Sequence, residues 1–270
     1  MGSKSESNQD RRAARELAGI SPSDYSEALE RGLAVFEAFM APNAQLTQAD
    51  VARTLDLPRA TVRRSMVTLT YLGYLELEGR TYRLTPKVLQ MASAYLTSNP
   101  ITRILQPLCE KVANEFRASS TVAVLDGADA VMIARALPEQ SVTLGVGLGY
   151  RVPAPQSALG RVLLGSLSDE ERGELLSTSL SGVSSDIREE EISRIQNAIT
   201  AATRDGFAYV ADEVDVGFHS VAVPLCRWDG EPIAALNVGT TPDKISETEM
   251  VGRVRTHLQE IARLAQPQLI

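Results

Sequence analysis

Residues 25–84 carry the pattern that most constrains the fold of this chain. Apolar side chains recur at helical spacing in three successive segments, and two short alternating runs follow them on either side of Gly79. We expect Thr47 to cap the second helix and Pro58 to be the first residue of the third, while Gly79 forms the turn of a β-hairpin. The pattern therefore predicts a winged helix-turn-helix with helices over 25–40, 47–55 and 58–72.

In a winged helix-turn-helix the third helix fits the major groove of DNA, and its N-terminal residues face the base edges. The polar face of this third helix is rich in arginine, whose guanidinium suits guanine and phosphate. Hairpin arginines could reach neighbouring phosphates or the minor groove. The alternative is the solvated face of a small helical bundle. We expect the DNA contacts to come from Thr47, Arg59, Thr61, Arg63, Arg64, Arg80 and Arg83.

At first sight a net charge of −7 argues against binding to nucleic acid, but this charge is unevenly distributed along the chain. Residues 50–87 hold 7 Lys or Arg against 4 Asp or Glu, a net of +3, whereas residues 88–270 hold 15 against 23, a net of −8. A small basic segment on an acidic body suits a protein that touches phosphates with one part only. The N-terminus is polar without a signal-peptide core, no apolar run is long enough for a membrane span, and two cysteines cannot form a disulfide framework. We therefore expect a cytoplasmic protein.

The remainder of the chain predicts an α/β domain joined to the first by a linker helix. Helices are expected over 101–116, 156–167, 168–176, 189–205 and 246–264, with strands over 120–125, 130–136, 142–146, 207–212, 218–225 and 233–239. Antiparallel strand pairs with flanking helices indicate a sheet covered by helical layers. The expected organisation is a mobile tail over 1–23, a DNA-binding domain over 24–85, a linker helix over 86–99 and a second domain over 100–270.

An enzyme is disfavoured because the chain lacks the residues that catalysis requires. It has two histidines, His219 and His257, without a nucleophile elbow, a metal-spaced cluster or a phosphate-binding loop. The glycines of 145–149 do not open a helix, and Cys109 is expected to be a core residue. An acidic cluster over 212–215 could bind a metal or simply decorate a loop, and we favour the loop. No cofactor and no metal are expected.

Several segments resemble the isocitrate-lyase-regulator (IclR) family of transcriptional regulators. They are Leu29–Ala34, Leu57–Arg63, Leu69–Leu75 and Leu84–Leu89, and the similarity covers nearly the whole chain from Tyr25 onward. Within the family, Ala123–Gly127, Arg151–Ala154, Ser157–Leu164 and Ala234–Val238 resemble the branch that controls protocatechuate and β-ketoadipate aromatic catabolism. The chain departs from that branch at Pro155, where a hydrogen-bonding residue is usual. The resemblance implies an α+β protein with a GAF-like effector-binding domain over 100–270.

The resemblance also implies a ligand cavity between the sheet and a loop-helix segment that covers it. Its expected lining is Leu144, Arg151, Gln156, Ser157, Ala158 and Leu159 from the cover, and Asp212, Ser220, Asn237 and Gly239 from the sheet. Strand alternation puts Leu236 and Asn237 on opposite faces, so the inward amide needs either a ligand or Ser220 as its partner. Arg151 is the expected partner of a ligand carboxylate, with His219 second, and Asp212 would accept from a ligand hydroxyl or orient Ser220. The expected effector is a hydroxylated aromatic acid or a related catabolic intermediate.

Two functions fit these observations. One is a ligand-responsive regulator of an aromatic-compound catabolic operon, and the other is a constitutive DNA-binding protein whose second domain serves only oligomerisation. The family resemblance implies a homodimer joined through its DNA-binding domains and often paired into a tetramer, in which the linker helix transmits the ligand state. Such an assembly would match a pseudo-palindromic operator. Candidate seams are the apolar side chains Leu29, Leu33, Phe36 and Phe39, and the linker residues Leu89, Tyr95 and Leu96.

Overall fold

The computed structural model describes residues 19–41, 44–98, 100–138 and 147–269. The chain divides into two compact units, Met1–Tyr95 and Leu96–Ile270. Most of the expected tail, residues 1–18, the strand expected over 142–146 and the first glycine of the 145–149 run lie outside the described residues. Within the described part of the chain, no helix has the length and apolar character needed to cross a membrane.

The first unit has the element order that the sequence predicts. Its elements are α1 (Glu27–Glu37), a 3-10 turn (Ala38–Met40), α2 (Gln48–Thr54), α3 (Arg59–Tyr71), β1 (Leu75–Glu78) and β2 (Thr81–Leu84). Thr47 caps α2 in a full capping box with Asp50. Pro58 has extended backbone angles and stands just before α3, so the expectation that it is the first helical residue is wrong by one position. Gly79 has a φ of +63° in the hairpin turn, a conformation that glycine adopts at little cost.

Helix α1 divides its apolar side chains between the core and the surface. Phe36 and Phe39 are buried beside residues of α2, α3 and β1, whereas Leu29 and Leu33 are 62% and 48% exposed. Of the four apolar side chains expected as a candidate seam between subunits, only Leu29 and Leu33 are therefore exposed. Since α1 packs on α3, the exposed pair lies on the part of α1 that this unit does not cover.

The link between the units begins as a 3-10 turn (Pro86–Val88) and continues as α4 (Leu89–Ser98), and α5 (Pro100–Phe116) follows after residue 99. Lys87 and Thr85 attach the start of this link to the end of α3. The Lys87 Nζ donates to the carbonyl oxygen of Leu72 at 2.7 Å, and the Thr85 hydroxyl donates to that of Gly73 at 2.5 Å. Two carbonyls at the end of α3 are thereby satisfied.

The second unit is built on a six-stranded antiparallel sheet of order β5-β4-β3-β8-β7-β6. Its strands are β3 (Ser119–Asp126), β4 (Asp129–Ala136), β5 (Arg151–Pro153), β6 (Ala208–Ala211), β7 (His219–Cys226) and β8 (Pro232–Thr240). Its later helices are α6 (Ala158–Leu164), α7 (Asp169–Ser179), α8 (Ser185–Asp205), the short α9 (Glu247–Glu249), a π turn (Met250–Val254) and α10 (Arg255–Ala265). The first residues of the expected covering loop, 151–153, are thus an edge strand instead.

The two faces of this sheet carry side chains of different size. One face buries Val122, Val221 and Leu236 against α5 and α10. The other presents Ala123, Ala222 and Ala235, and their small side chains let α6 approach closely. Gly160 continues this close packing, since a Cβ at that position would overlap the backbone of the 3-10 turn (Ala154–Gln156) before α6. The start of α6 is therefore held tightly over the sheet.

A β-bulge interrupts β4 in the middle of the sheet. Val122 of β3 pairs with Ala134, and the next residue, Ala123, pairs with Met132, so Ile133 has no opposite partner. Ile133 and Ala134 consequently both join the large core against α5 and α10. Because the extra residue shifts the alternation, Arg135 faces the α6 side of the sheet, together with Met132.

Candidate functional site

Helix α3 presents three exposed arginines beside and opposite its buried residues. Val62 and Met66 are fully buried, whereas Arg59, Arg63 and Arg64 are exposed. Among the described residues, no carboxylate lies within ion-pairing distance of these three guanidinium groups. Thr61 is half-buried on the same helix. The free cations of α3 are thus available to phosphates or base edges.

The other residues predicted to contact DNA differ in whether their side chains are already bonded within the protein. The Thr47 hydroxyl donates to Asp50 Oδ2 at 2.6 Å, so its proton is engaged in the cap of α2, and the hydrogen bonds from Thr47 lower the pKa of the Asp50 carboxyl. On the hairpin, Arg83 Nε donates to Glu76 Oε1 at 2.7 Å, whereas Arg80 is exposed and has no ion pair with a described residue. The geometry therefore favours Arg80 over Arg83 as the hairpin cation that faces outward.

A cavity of about 350 Å³ lies in the second unit between the sheet, the start of α6 and the loop before β7. Six of the residues expected to bind an effector line it: Ser157, Ala158, Leu159, Ser220, Asn237 and Gly239. The residues that sequence reasoning missed include Ser119, Thr121, Met132, Arg135, Tyr150, Val152, Phe218 and Lys244. The lining combines apolar and aromatic side chains with a few polar groups, which is the usual balance of a small-molecule site.

Asn237 carries an unsatisfied polar atom into this cavity. Its Oδ1 is buried and has no hydrogen-bond partner among the described residues. Strand register places Asn237 between Thr121 and Ala222, while Ser220 stands opposite Gly239, so the alternative of Ser220 as the partner of this oxygen is not met. A buried acceptor without a partner costs about 1–3 kcal/mol, and a ligand donor would recover that cost.

Arg135 brings a cation to the same row of the sheet. Thr121 pairs with Arg135 on one side and with Asn237 on the other, so the three residues lie side by side on β4, β3 and β8. The Arg135 Nε is buried without a partner, and Nη1 lies 3.5 Å from Met132 Sδ. No carboxylate of the described chain pairs with it, and desolvation by burial lowers the pKa of its guanidinium. Arg135 is thus a cation without a counter-ion at the edge of the cavity.

Arg151, the expected partner of a ligand carboxylate, is placed elsewhere. Its Nη1 and Nε donate to Asp126 at 2.6 Å and Asp129 at 2.9 Å, and it does not line the cavity. Strand pairing causes this placement, because Asp129 and Val131 of β4 lie beside Arg151–Pro153 of β5. The expectation for Arg151 is therefore wrong.

His219, the second expected cation, also lies away from the cavity. It is 1% exposed on the opposite face of β7, where Nδ1 is 2.9 Å from the Tyr209 hydroxyl. The other histidine, His257, is half-buried with Nε2 at 2.9 Å from Glu115 Oε2.

Two further residues of the expected lining do not contribute to it. Gln156 belongs to the 3-10 turn before α6 and is absent from the cavity wall. Asp212 has a φ of +61°, and its Oδ1 accepts from the Gly217 N–H at 2.6 Å, so it stabilises a turn of the 212–217 loop. Both expectations are therefore wrong in this structure, while Leu144 lies outside the described residues.

One member of the acidic cluster over 212–215, Glu213, is held in ion pairs. The Arg161 guanidinium is nearly fully buried; it donates to the Pro155 carbonyl at 3.0 Å and to Glu213 Oε2 at 2.6 Å. Arg194 reaches the same carboxylate at 3.1 Å, and its hydrogen bonds to Glu191 and Glu213 raise the pKa of its guanidinium. Among the described residues, no cluster of His, Cys, Asp or Glu has the arrangement of a metal site. The cluster therefore ties the loop before β7 to α6 and α8.

Comparison with known protein families gives two matches that together span most of the chain. Residues 28–79 match the IclR helix-turn-helix domain, and residues 93–265 match the C-terminal domain of the bacterial transcriptional regulator IclR. The second match alone covers more than half of the chain.

Two curated relatives are similar over most of their length. The Pca regulon regulatory protein of Pseudomonas putida is 33% identical over 231 residues, which cover 85% of this chain and 79% of the relative. The p-hydroxybenzoate hydroxylase transcriptional activator of Acinetobacter baylyi is 28% identical over 249 residues, covering 90% and 92%.

Two solved structures share the fold. A transcriptional regulator from Rhodococcus sp. RHA1 is 34% identical with a TM-score of 0.72, and the match covers 91% of this chain and 98% of that one. An IclR homologue of Microbacterium hydrocarbonoxydans, crystallised with 4-hydroxybenzoate, is 24% identical with a TM-score of 0.72, covering 90% and 99%. At that identity the second likeness supports the fold alone.

Proposed function

Because this chain belongs to the IclR family of bacterial transcriptional regulators, we propose that its activity responds to a hydroxylated aromatic carboxylate bound in the second unit. The chain is a DNA-binding regulator and not an enzyme, because its family and its curated relatives are transcriptional regulators.

One observation carries the effector proposal: the cavity holds a cation without a counter-ion and an orphaned amide oxygen two strands apart. Neighbouring strands lie about 4.8 Å apart, so the backbones of Arg135 and Asn237 are separated by roughly 10 Å across β3. A carboxylate would pair with Arg135, and a hydroxyl on the same ligand would donate to Asn237 Oδ1. Each contact satisfies a group that has no hydrogen-bond partner among the described residues.

The apolar part of the lining suits a flat ring between these two ends. Met132, Val152, Leu159 and Phe218 surround the polar row. Aromatic rings gain from edge and face contacts with such side chains, in addition to the area that they bury. Lys244 and Arg117 add positive charge to the lining, against the one lining carboxylate of Asp215 among the described residues. The cavity therefore combines aromatic complementarity with an excess of positive charge.

The relatives agree with this chemistry. One regulates transcription of p-hydroxybenzoate hydroxylase, and one structural neighbour was crystallised with 4-hydroxybenzoate. We therefore take 4-hydroxybenzoate as the first probe for this chain, and an aromatic-compound catabolic operon as its target.

We further propose an even-numbered homo-oligomer that binds a pseudo-palindromic operator in the cytoplasm. A pair of α3 helices related by a two-fold axis would match two half-sites. The exposed Leu29 and Leu33 of α1, and the exposed Leu89 and Met91 of α4, are the apolar surface that a second copy would cover. In this proposal residues 24–85 bind DNA, 86–99 form the linker and 100–270 bind the effector.

Calorimetric titration of 4-hydroxybenzoate into the full-length protein tests the effector proposal. We expect saturable binding, weaker binding to Asn237→Ala and Ser220→Ala, and unchanged binding to Asn197→Ala, which alters an exposed amide on α8. The ligand should also raise the melting temperature, because it binds only the folded state. If neither 4-hydroxybenzoate nor related aromatic acids and their ring-cleavage products shift the melting temperature, the constitutive DNA-binding alternative is favoured.

A further inference from the structure

The outer edge of β4 is completed by a side chain from helix α5. Strand β5 pairs with β4 only from Asp129 to Val131, so it does not reach Arg135. There the Gln106 amide takes the place of a strand. Its Oε1 accepts from the Arg135 N–H at 3.2 Å, and its Nε2 donates to the Arg135 carbonyl oxygen at 3.1 Å. One side chain thus satisfies both backbone groups of Arg135.

Arg135 therefore connects two parts of the second unit. Its side chain reaches into the effector cavity, while its backbone is held by α5 through Gln106. The guanidinium also borders a second, more open cavity of about 470 Å³, which Thr102 and Gln106 of α5 line as well. An arginine with space on both sides can change position when an anion binds to it.

Helix α5 is packed unevenly along its length. Leu105, Cys109 and Val112 are fully buried in the large core of the sheet. Thr102, one turn earlier, borders the second cavity, and its buried Oγ1 has no hydrogen-bond partner among the described residues. The first turn of α5 is thus less tightly fitted than the rest. This turn follows α4, with one residue between them, and α4 begins in the DNA-binding unit.

We propose that Gln106 is the positioning residue that transmits effector binding from Arg135 to helix α5 and onward along the chain to the DNA-binding unit. The inference rests on the proposed effector site and adds the route by which that site is coupled to DNA. A ligand shifts a conformational equilibrium only if it interacts differently with the two states. A carboxylate satisfies this condition if it pairs with Arg135 more strongly when the guanidinium lies deeper in the effector cavity. Such a movement of Arg135 displaces β4, and the two Gln106 hydrogen bonds carry that displacement to α5.

The test compares DNA affinity with and without ligand in the full-length protein. The duplex is selected from a random pool by the ligand-free wild type, and the probe is saturating 4-hydroxybenzoate. Coupling between two sites in one protein is typically 5- to 150-fold, so we expect the wild-type affinity to change at least fivefold. Gln106→Met keeps the length of the side chain and removes both hydrogen bonds to Arg135, together with the one that Nε2 donates to Glu110 at 3.0 Å. In this variant the change should fall below twofold. The dissociation constant for 4-hydroxybenzoate without DNA should stay within threefold.

Gln266→Met is the matched control. Its amide also donates to a backbone carbonyl, that of Arg227 at 2.8 Å, and neither residue lines either cavity. We expect this variant to keep the wild-type coupling and to have a melting temperature close to that of Gln106→Met. Gln106→Ala repeats the test if Gln106→Met does not fold.

The outcomes separate this inference from the proposed function. Wild-type coupling in Gln106→Met overturns the role of Gln106 and leaves the effector site standing. Loss of 4-hydroxybenzoate binding in Gln106→Met overturns it as well, because the residue then supports the cavity itself. Failure of the wild type to bind 4-hydroxybenzoate overturns the proposed effector together with this inference.

Discussion

Replacing Arg135 by Met should weaken the binding of 4-hydroxybenzoate while leaving the cavity intact. Met has a similar length and is apolar, and it would lie beside Met132, whose sulfur already contacts the guanidinium. The substitution removes the positive charge from the row that Arg135 forms with Thr121 and Asn237. The change therefore isolates the carboxylate contact from the shape of the site.

The expected loss follows from the environment of the guanidinium. A hydrogen bond to a charged partner contributes about 1.5–3 kcal/mol, and each 1.4 kcal/mol is a factor of about ten, so affinity should fall roughly 10- to 150-fold. We expect the middle of this range. Arg135 is half-buried, so water screens the pair less than at the surface, whereas a carboxylate must also lose its own hydration.

The assay is a calorimetric cycle with two ligands. Wild type and Arg135→Met are each titrated with 4-hydroxybenzoate and with 4-hydroxybenzamide, its neutral counterpart. The substitution should cost affinity for the acid and much less for the amide. Arg151→Met provides the control, since that arginine is paired with Asp126 and Asp129 outside the cavity wall and should affect neither ligand.

Two results would refute the reasoning. Equal losses for the acid and the amide would show that Arg135 supports the shape of the cavity and not the carboxylate. A selective loss of acid binding in Arg151→Met instead would mean that Arg151 leaves its two aspartates to pair with the ligand, as the sequence alone had suggested.

Three further predictions concern other parts of the chain. Arg63→Ala should weaken binding to the selected duplex by about 1–3 kcal/mol if Arg63 reads a base. Arg83→Ala should have a smaller effect, because Arg83 is already paired within the hairpin. Equal effects of Arg63→Ala on selected and scrambled duplexes would indicate a phosphate contact. Gly160→Ala should lower stability by about 1–3 kcal/mol in thermal unfolding because its Cβ overlaps backbone, whereas Gly173→Ala in α7 has free space and should be neutral or stabilising. Leu33→Glu should shift sedimentation toward monomer, and an unchanged oligomer would exclude α1 as the seam.

The winged helix-turn-helix could be predicted from the sequence because its determinants are close together along the chain. Thr47 and Asp50 are three residues apart, and Gly79 lies between the two strands that it joins. Each signal is a local preference that needs no knowledge of the rest of the fold. The exception is α1, where helical spacing could not distinguish a core residue from one that is left exposed.

The second unit was predictable in its elements and only in part in its site. Alternation along β8 correctly separates Leu236 from Asn237, since both lie on one regular strand. Arg151 was misplaced because its partners, Asp126 and Asp129, are set by how β5 pairs with β4. Arg151 is close in sequence to the segment that covers the cavity, but its side chain does not point into the cavity.

The sequence by itself determined the DNA-binding fold, the family and part of the cavity lining, such as Asn237 of β8 and Ser157 at the start of α6. Only the tertiary structure decided where the positive charge of that cavity lies. Uninterrupted alternation would place Ile133 and Arg135 on the same face, but the bulge opposite Val122 and Ala123 separates them. A bulge depends on the register of two strands and on the packing of both faces, so residues far apart in the chain determine which way Arg135 points.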